Sequence, residues 1–262
     1  MTTKKQNILF VVCAYAFFWV WFLVAGILGV PPIIVILAST LGTFAPTFAL
    51  LVLFKKLYPG WTIKQFYKNA FRERLNFKLL LVFTIVWLLI IVGMVSIGAF
   101  IKGVSFLSLF SFSFSGFAIS LFSGDIGEES GWRGHLQPSV EKKHSVIKAS
   151  LIVGIIWAFW HTPTWFATGF AGKDLILYIL FDILDKMSLA MIIGICYSRC
   201  RNLIVPMWIH FISNMFINPV QGFFTDSNNF YFYYILILVE ALAATFYIAW
   251  YKKINKKKII AA

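Results

Sequence analysis

Three polar clusters interrupt an otherwise apolar chain, and their residue types suit acid–base and hydrogen-bonding catalysis. The first is Gly124-Asp125-Ile126-Gly127-Glu128-Glu129-Ser130-Gly131-Trp132-Arg133-Gly134. Adjacent carboxylates in a hydrophobic helix repel each other, and desolvation disfavours their charge, which suits one of them to general acid or base work. Glu129 and Arg133 stand four apart on one helix face, so the arginine can neutralise Glu129 and leave Glu128 to point elsewhere. A salt bridge at a span boundary would explain Glu129 and Arg133 but not the second glutamate. The second cluster is Trp157-Ala158-Phe159-Trp160-His161-Thr162-Pro163, with Pro163 disturbing the helix just beyond His161. A lone histidine in an apolar helix is usually a satisfied core residue. The third is His210-Phe211-Ile212-Ser213-Asn214, in which His210 and Asn214 share a face and can address one ligand. Taken alone they read as an interhelical hydrogen bond of about 1 kcal/mol. Taken together, glutamates, two histidines and an asparagine converging inside a bundle can activate a water and stabilise an oxyanion. That is peptide or ester hydrolysis chemistry.

The elements that must position these residues are membrane helices. Of 262 residues, 60% are apolar and 13% charged, too few charges to cover a soluble domain of this length. The apolar residues come in runs of about 20, enough for a helix to cross a hydrocarbon core about 30 Å thick. The expected fold is an all-α polytopic membrane bundle of about eight transmembrane helices. The spans fall at about Ile8–Val30 (ended by Pro31-Pro32), Ile33–Phe54, Leu79–Ile101, Val104 to just before Pro138, Lys148–Phe166, Leu175–Ser198, Leu203–Asn218 and Phe230–Tyr251. The chain reads as one integral membrane domain, 1–262. Leading spans occupy 1–100, including an amphipathic, surface-lying 55–78 segment, and the motif-bearing core occupies 104–218.

The formal charge is +13, but the lysines and arginines sit in short loops and at both ends. That distribution argues against a nucleic-acid face and for orientation by cytoplasmic lysines, with both termini cytoplasmic. Arg133 and Lys186 fall within spans or at their boundaries. Asp182 and Lys186, four apart, are expected to pair internally or to mark the outer end of the sixth span, without a catalytic role. Cys196 and Cys200, one turn apart, read as a structural thiol pair; with Cys13 they make no disulfide framework.

Glu128-Glu129-x-x-x-Arg133, an aromatic-x-x-x-His161 and His210-x-x-x-Asn214 resemble the signature motifs of the CPBP (Abi) family. That family comprises CAAX proteases and bacteriocin-processing intramembrane proteases related to the type II CAAX prenyl endopeptidase. The resemblance extends over roughly the last 150 residues. It departs at Trp157, where the family usually has phenylalanine, a position that looks like packing support.

The resemblance implies an intramembrane endopeptidase in which Glu128, helped by His161, deprotonates a water. His210 and Asn214 would then stabilise the oxyanion while Glu129 and Arg133 hold the site together. The substrates implied are membrane-associated peptides or proteins at the lipid bilayer, cut near a terminus. Zinc held by Glu128, His161 and His210 stays open beside a metal-free mechanism, because no His-Glu-x-x-His helix is present. The four polar side chains Glu128, His161, His210 and Asn214 are expected to line one cavity opening to the cytoplasm. The other readings are a non-proteolytic scaffold or bacteriocin-immunity protein of the same fold, a proton-coupled transporter using the carboxylates as a relay, and a bis-histidine haem protein on His161 and His210.

Overall fold

The computed structural model describes residues 3–27, 40–103, 105, 125–224 and 230–260. All regular structure among them is helical, and the chain is membrane-integral. Three described stretches, Thr3–Val24, Phe77–Phe100 and Tyr234–Lys256, are long and apolar enough to cross a bilayer, and Val146–Trp160 is a shorter apolar helix. The Pro31-Pro32 stop, the start of the expected second span and most of the fourth lie outside the described residues.

The first helix, α1 (Thr3–Ile27), packs on α2 (Ala45–Val52), which carries Pro46 in its first turn, where a missing N–H costs nothing. After the short α3 (Phe54–Leu57) comes α4 (Ile63–Ala70), started by a reciprocal capping box between Thr62 and Gln65. This is the expected amphipathic segment. It is pinned to the bundle by Asn202, whose amide donates to the carbonyls of Phe71 and Glu73. α5 (Phe77–Lys102) begins at an Asn76 cap and ends at Gly103, whose φ of 64° suits a residue without Cβ.

The motif-bearing helices follow. α6 (Ile126–Gly131) runs into a π turn (Trp132–Leu136) and on into α7 (Gln137–Glu141). Here the structure corrects the sequence reading, which ended this span before Pro138. The wider π turn relieves the clash a proline ring makes with the preceding helical turn, so the helix continues to Glu141. α8 (Val146–Trp160) starts at the Ser145 cap and stops at His161, and α9 (Thr162–Ala167) restarts with Pro163 in its first turn. α10 (Gly172–Cys200), α11 (Ile204–Phe224) and α12 (Phe230–Ile260) complete the chain.

Three glycines draw these helices close at two seams. Gly127 and Gly131 face α2, where a Cβ on Gly131 would lie 2.6 Å from the Pro46 carbonyl carbon and oxygen. The Thr47 hydroxyl donates to the Gly127 carbonyl across this seam at 2.6 Å. Gly154 of α8 meets α10 so closely that a Cβ there would sit 3.0 Å from Met187 Cα. Closely approaching backbones of this kind are a main source of helix association where no water drives it.

The start of α1, the 55–77 segment, α7 and the end of α10 gather at one end of the bundle. The C-terminal half of α12 reaches the same end, where Arg199 stacks on Trp250 and Tyr251.

Candidate functional site

Because the glycine face of α6 is turned to α2, its two glutamates project into the bundle, where both are buried. Arg133 Nη1 donates to Glu129 Oε1 at 2.7 Å, and neither side chain is exposed at all. The pairing expected from the four-residue spacing is therefore present. His210 of α11 adds a second partner, its Nδ1 lying 2.9 Å from the same Glu129 oxygen. Glu128 turns the other way. Its Oε2 accepts from Trp157 Nε1 at 2.6 Å and from Trp132 Nε1 at 3.3 Å, while among the described residues none is seen donating to Oε1.

His210 and Asn214 share a face, as read, and both address a carboxylate that the sequence reading quoted without giving it a role. Asn214 Nδ2 donates to Asp125 Oδ1 at 3.1 Å, and His210 Nε2 lies 3.7 Å from the same oxygen. Asp125 stands three and four residues before Glu128 and Glu129, and that helical spacing was the signal available for it. The arrangement fixes the histidine chemistry. A carboxylate paired with Arg133 only accepts, so Nδ1 of His210 carries a proton, and Nε2 can donate only from the imidazolium.

His161 sits at the α8–α9 break, where the last carbonyls of α8 lack helical partners. Trp19 of α1 donates to the Trp160 carbonyl at 2.9 Å, and Trp160 donates back to Ala14 at 3.1 Å, which locks the break in place. The His161 ring lies 4.8 Å from that of Trp160 and 6.1 Å from that of Trp157, and its buried Nε2 has no hydrogen-bond partner among the described residues. His161 and Glu128 thus flank the same indole, but no hydrogen bond joins them.

Trp157 is more than the packing support its position suggested. Besides donating to Glu128, its ring lies 4.9 Å from the Arg133 guanidinium carbon, 5.7 Å from Lys186 Nζ and 4.9 Å from the His210 ring. Lys186 is paired with Asp182 at 3.3 Å and with Asp185, the internal pairing expected for Asp182. Asp182 accepts from the buried Trp165 indole, and Asp185 faces the fully buried Glu240 of α12. Glu240 was missed, although a lone carboxylate in an apolar span is a signal in itself.

Two expectations can be set against this arrangement. Among the described residues, no group of three or more His, Cys, Asp or Glu is gathered to hold a metal ion. Within the proposed set, Glu128 Oε2 accepts from two indoles and His210 Nδ1 is turned to Glu129, which leaves Glu128 Oε1, His161 Nε2 and His210 Nε2 as the atoms that would face a zinc ion. A cavity of about 1120 Å³ opens at the basic end between α4, α7 and the end of α10, lined by Tyr58, Arg74, His135 and Arg201 among others. None of Glu128, Glu129, Arg133, His161, His210 or Asn214 lines it.

Comparison with known proteins bears on the same stretch. Residues 110–216 match the family model "Type II CAAX prenyl endopeptidase Rce1-like". The chain is also 29% identical over 186 residues to CAAX prenyl protease 2 of Methanococcus maripaludis, an alignment covering 66% of this chain and 69% of that protein. All three motifs fall inside the matched region, so over residues 110–216 the stretch that carries the site is similar to the Rce1-like CAAX endopeptidases.

Proposed function

We propose that this protein is a CAAX-type intramembrane endopeptidase that hydrolyses a peptide bond of a membrane-associated peptide or protein without a metal. Glu128 is the base. Its Oε2 is held by two indoles and its Oε1 is left to take a proton from water, whose oxygen attacks the scissile carbonyl. The proton passes to the leaving amine as the C–N bond breaks. His161, across the Trp157 ring from Glu128, assists that transfer. The imidazolium of His210 and the amide of Asn214 donate to the oxyanion, a contribution of about 3–4 kcal/mol per donor in such sites. Asn214 exchanges its bond to Asp125 for one to the oxyanion. Glu129 and Arg133 hold His210 in place.

The observation that carries this reading is the burial of Glu128 and the Glu129–Arg133–His210 assembly within one matched, motif-bearing stretch. We propose further that residues 1–262 form one membrane domain of eight spans. Both termini would be cytoplasmic, as the gathering of basic residues and of both chain ends at one end of the bundle supports. Thiol labelling of Lys4→Cys and Lys256→Cys from either side of sealed vesicles checks the orientation.

The functional test compares terminal peptides from membranes of cells expressing the wild type or Glu128→Gln at equal levels. New termini made only by the wild type are the expected result, and they name the substrate. Identical peptide sets, under conditions where the intact gene has a phenotype, overturn the protease reading and return the motifs to a scaffold or transport role.

A further inference from the structure

Trp157 is the point where this chain departs from the phenylalanine of the CPBP family's second motif, and the substitution adds one chemical group, an indole N–H. That N–H is spent on a carboxylate. It donates to Glu128 Oε2 at 2.6 Å, from a side chain only 1% exposed. The ring that carries it is flanked by two cations, with Arg133 Cζ 4.9 Å and Lys186 Nζ 5.7 Å from its centroid. A cation near the face of an indole is attracted by its π electrons, and by drawing on them it makes the N–H a stronger donor.

Lys186 is held near the ring by construction. The α8–α10 seam closes at Gly154, one turn before Trp157, where an added Cβ would lie 3.0 Å from Cα of Met187, the residue after Lys186. Asp182 and Asp185 grip its ammonium, and Trp165 holds Asp182 in turn at 2.6 Å.

Resting on the protease reading, we propose that Trp157 is a positioning residue that clamps Oε2 of Glu128 and thereby presents Oε1 to the attacking water. Lys186 strengthens the clamp through the indole ring. Neither residue touches the reacting atoms. Lys186 acts through Trp157, so its effect vanishes when the indole N–H is gone. The Asp182–Asp185–Lys186 group, which otherwise looks like an isolated intramembrane ion cluster, is by this account part of the support for the base.

The experiment uses full-length protein in lipid nanodiscs and two independent readouts. The first is the indole ¹⁵N–¹H resonance of Trp157, assigned by its loss in Trp157→Phe. Glu128→Gln and Lys186→Met are each expected to move it upfield, the former further. The second is turnover of the peptide cleaved by the wild type. Trp157→Phe, which installs the family's own residue, is expected to lower kcat about 10- to 100-fold with KM changed less than about twofold, the pattern of a misdirected base. Lys186→Met lowers kcat in the wild type, Lys186→Arg restores it, and the loss falls to less than about twofold in the Trp157→Phe background.

An indole resonance indifferent to Glu128→Gln, or full kcat in Trp157→Phe, overturns the clamp. Multiplicative losses in the double variant overturn the part given to Lys186. Should Lys186→Met fail to fold, the triple variant Asp182→Asn/Asp185→Asn/Lys186→Met carries the same test, because it removes both carboxylates that pair with the ammonium along with it. If the wild type cleaves nothing that Glu128→Gln spares, the protease reading fails, while the resonance still decides whether the clamp exists.

Discussion

Charge counting at the buried pair makes an unequal prediction for its two members. Asp125, Glu128 and Glu129 are all buried on one short helical stretch, and Arg133 is the cation within that stretch. Arg133→Met leaves three buried carboxylates without it. Breaking a buried pair in this way costs about 3–5 kcal/mol. Glu129→Gln is milder. The amide oxygen can still accept from Arg133 and His210, and Glu128 remains to offset the arginine, so the loss is that of charge assistance, about 1–2 kcal/mol.

The double variant Glu129→Gln/Arg133→Met removes one carboxylate together with the guanidinium and should recover at least about 1 kcal/mol relative to Arg133→Met. Thermal unfolding in nanodiscs, followed by near-UV circular dichroism, reads all three. Arg133→Met should lower the midpoint by about 10 °C, since one kcal/mol corresponds to about 2–4 °C at this chain length. Glu129→Gln should lower it by less than half as much. Equal losses in the two single variants, or a double variant no more stable than Arg133→Met, would refute the reasoning that unbalanced carboxylates dominate this site.

Other outcomes follow from the same coordinates. Gly131→Ala drives a Cβ into the Pro46 backbone and should destabilise by about 1–3 kcal/mol, whereas Gly93→Ala, with nothing within 4 Å, should be neutral or stabilising in the same unfolding assay. Asp125→Asn alters the group that His210 and Asn214 both address and should lower kcat about tenfold, while the midpoint should not fall, since one carboxylate fewer remains beside Arg133. The metal-free reaction proposed above predicts that cleavage persists after treatment with a strong zinc chelator; loss of activity reversed only by added zinc would contradict it.

The sequence shows some of this site plainly and hides the rest for physical reasons. Glu129 and Arg133 were readable as a pair because an i,i+4 spacing is local geometry, and His210 and Asn214 as co-facial for the same reason. The partners those pairs take are non-local. His210 meets Glu129 across 81 residues, and Asn214 meets Asp125 across 89, so no spacing rule could assign them. Trp157 read as packing because a tryptophan in an apolar helix usually is; the direction of its N–H depends on how α6 and α8 cross. Pro138 read as a stop because the rule for helical proline assumes an unbroken α-helical ladder. The helix limits read from hydropathy lie within three residues of those of α5 and α10, and α8 ended where Pro163 implied it would.

The π turn at Trp132–Leu136 also works as a phase adjuster. It lodges an additional residue in the winding, and each residue turns an α-helix by about 100°. Everything upstream of it, including both glutamates and the glycine seam on α2, is therefore rotated relative to α7, which is anchored through Gln137 to Ser150 of α8 and through Glu141 to Arg201. Removing a residue such as Gly134 would leave every motif residue in the chain and every side chain chemically intact. It would nonetheless swing Glu128 away from Trp157 and Gly131 away from Pro46 together. In this helix, catalytic aim and packing are set by a single count of residues, so insertions and deletions here should be far less tolerable than substitutions.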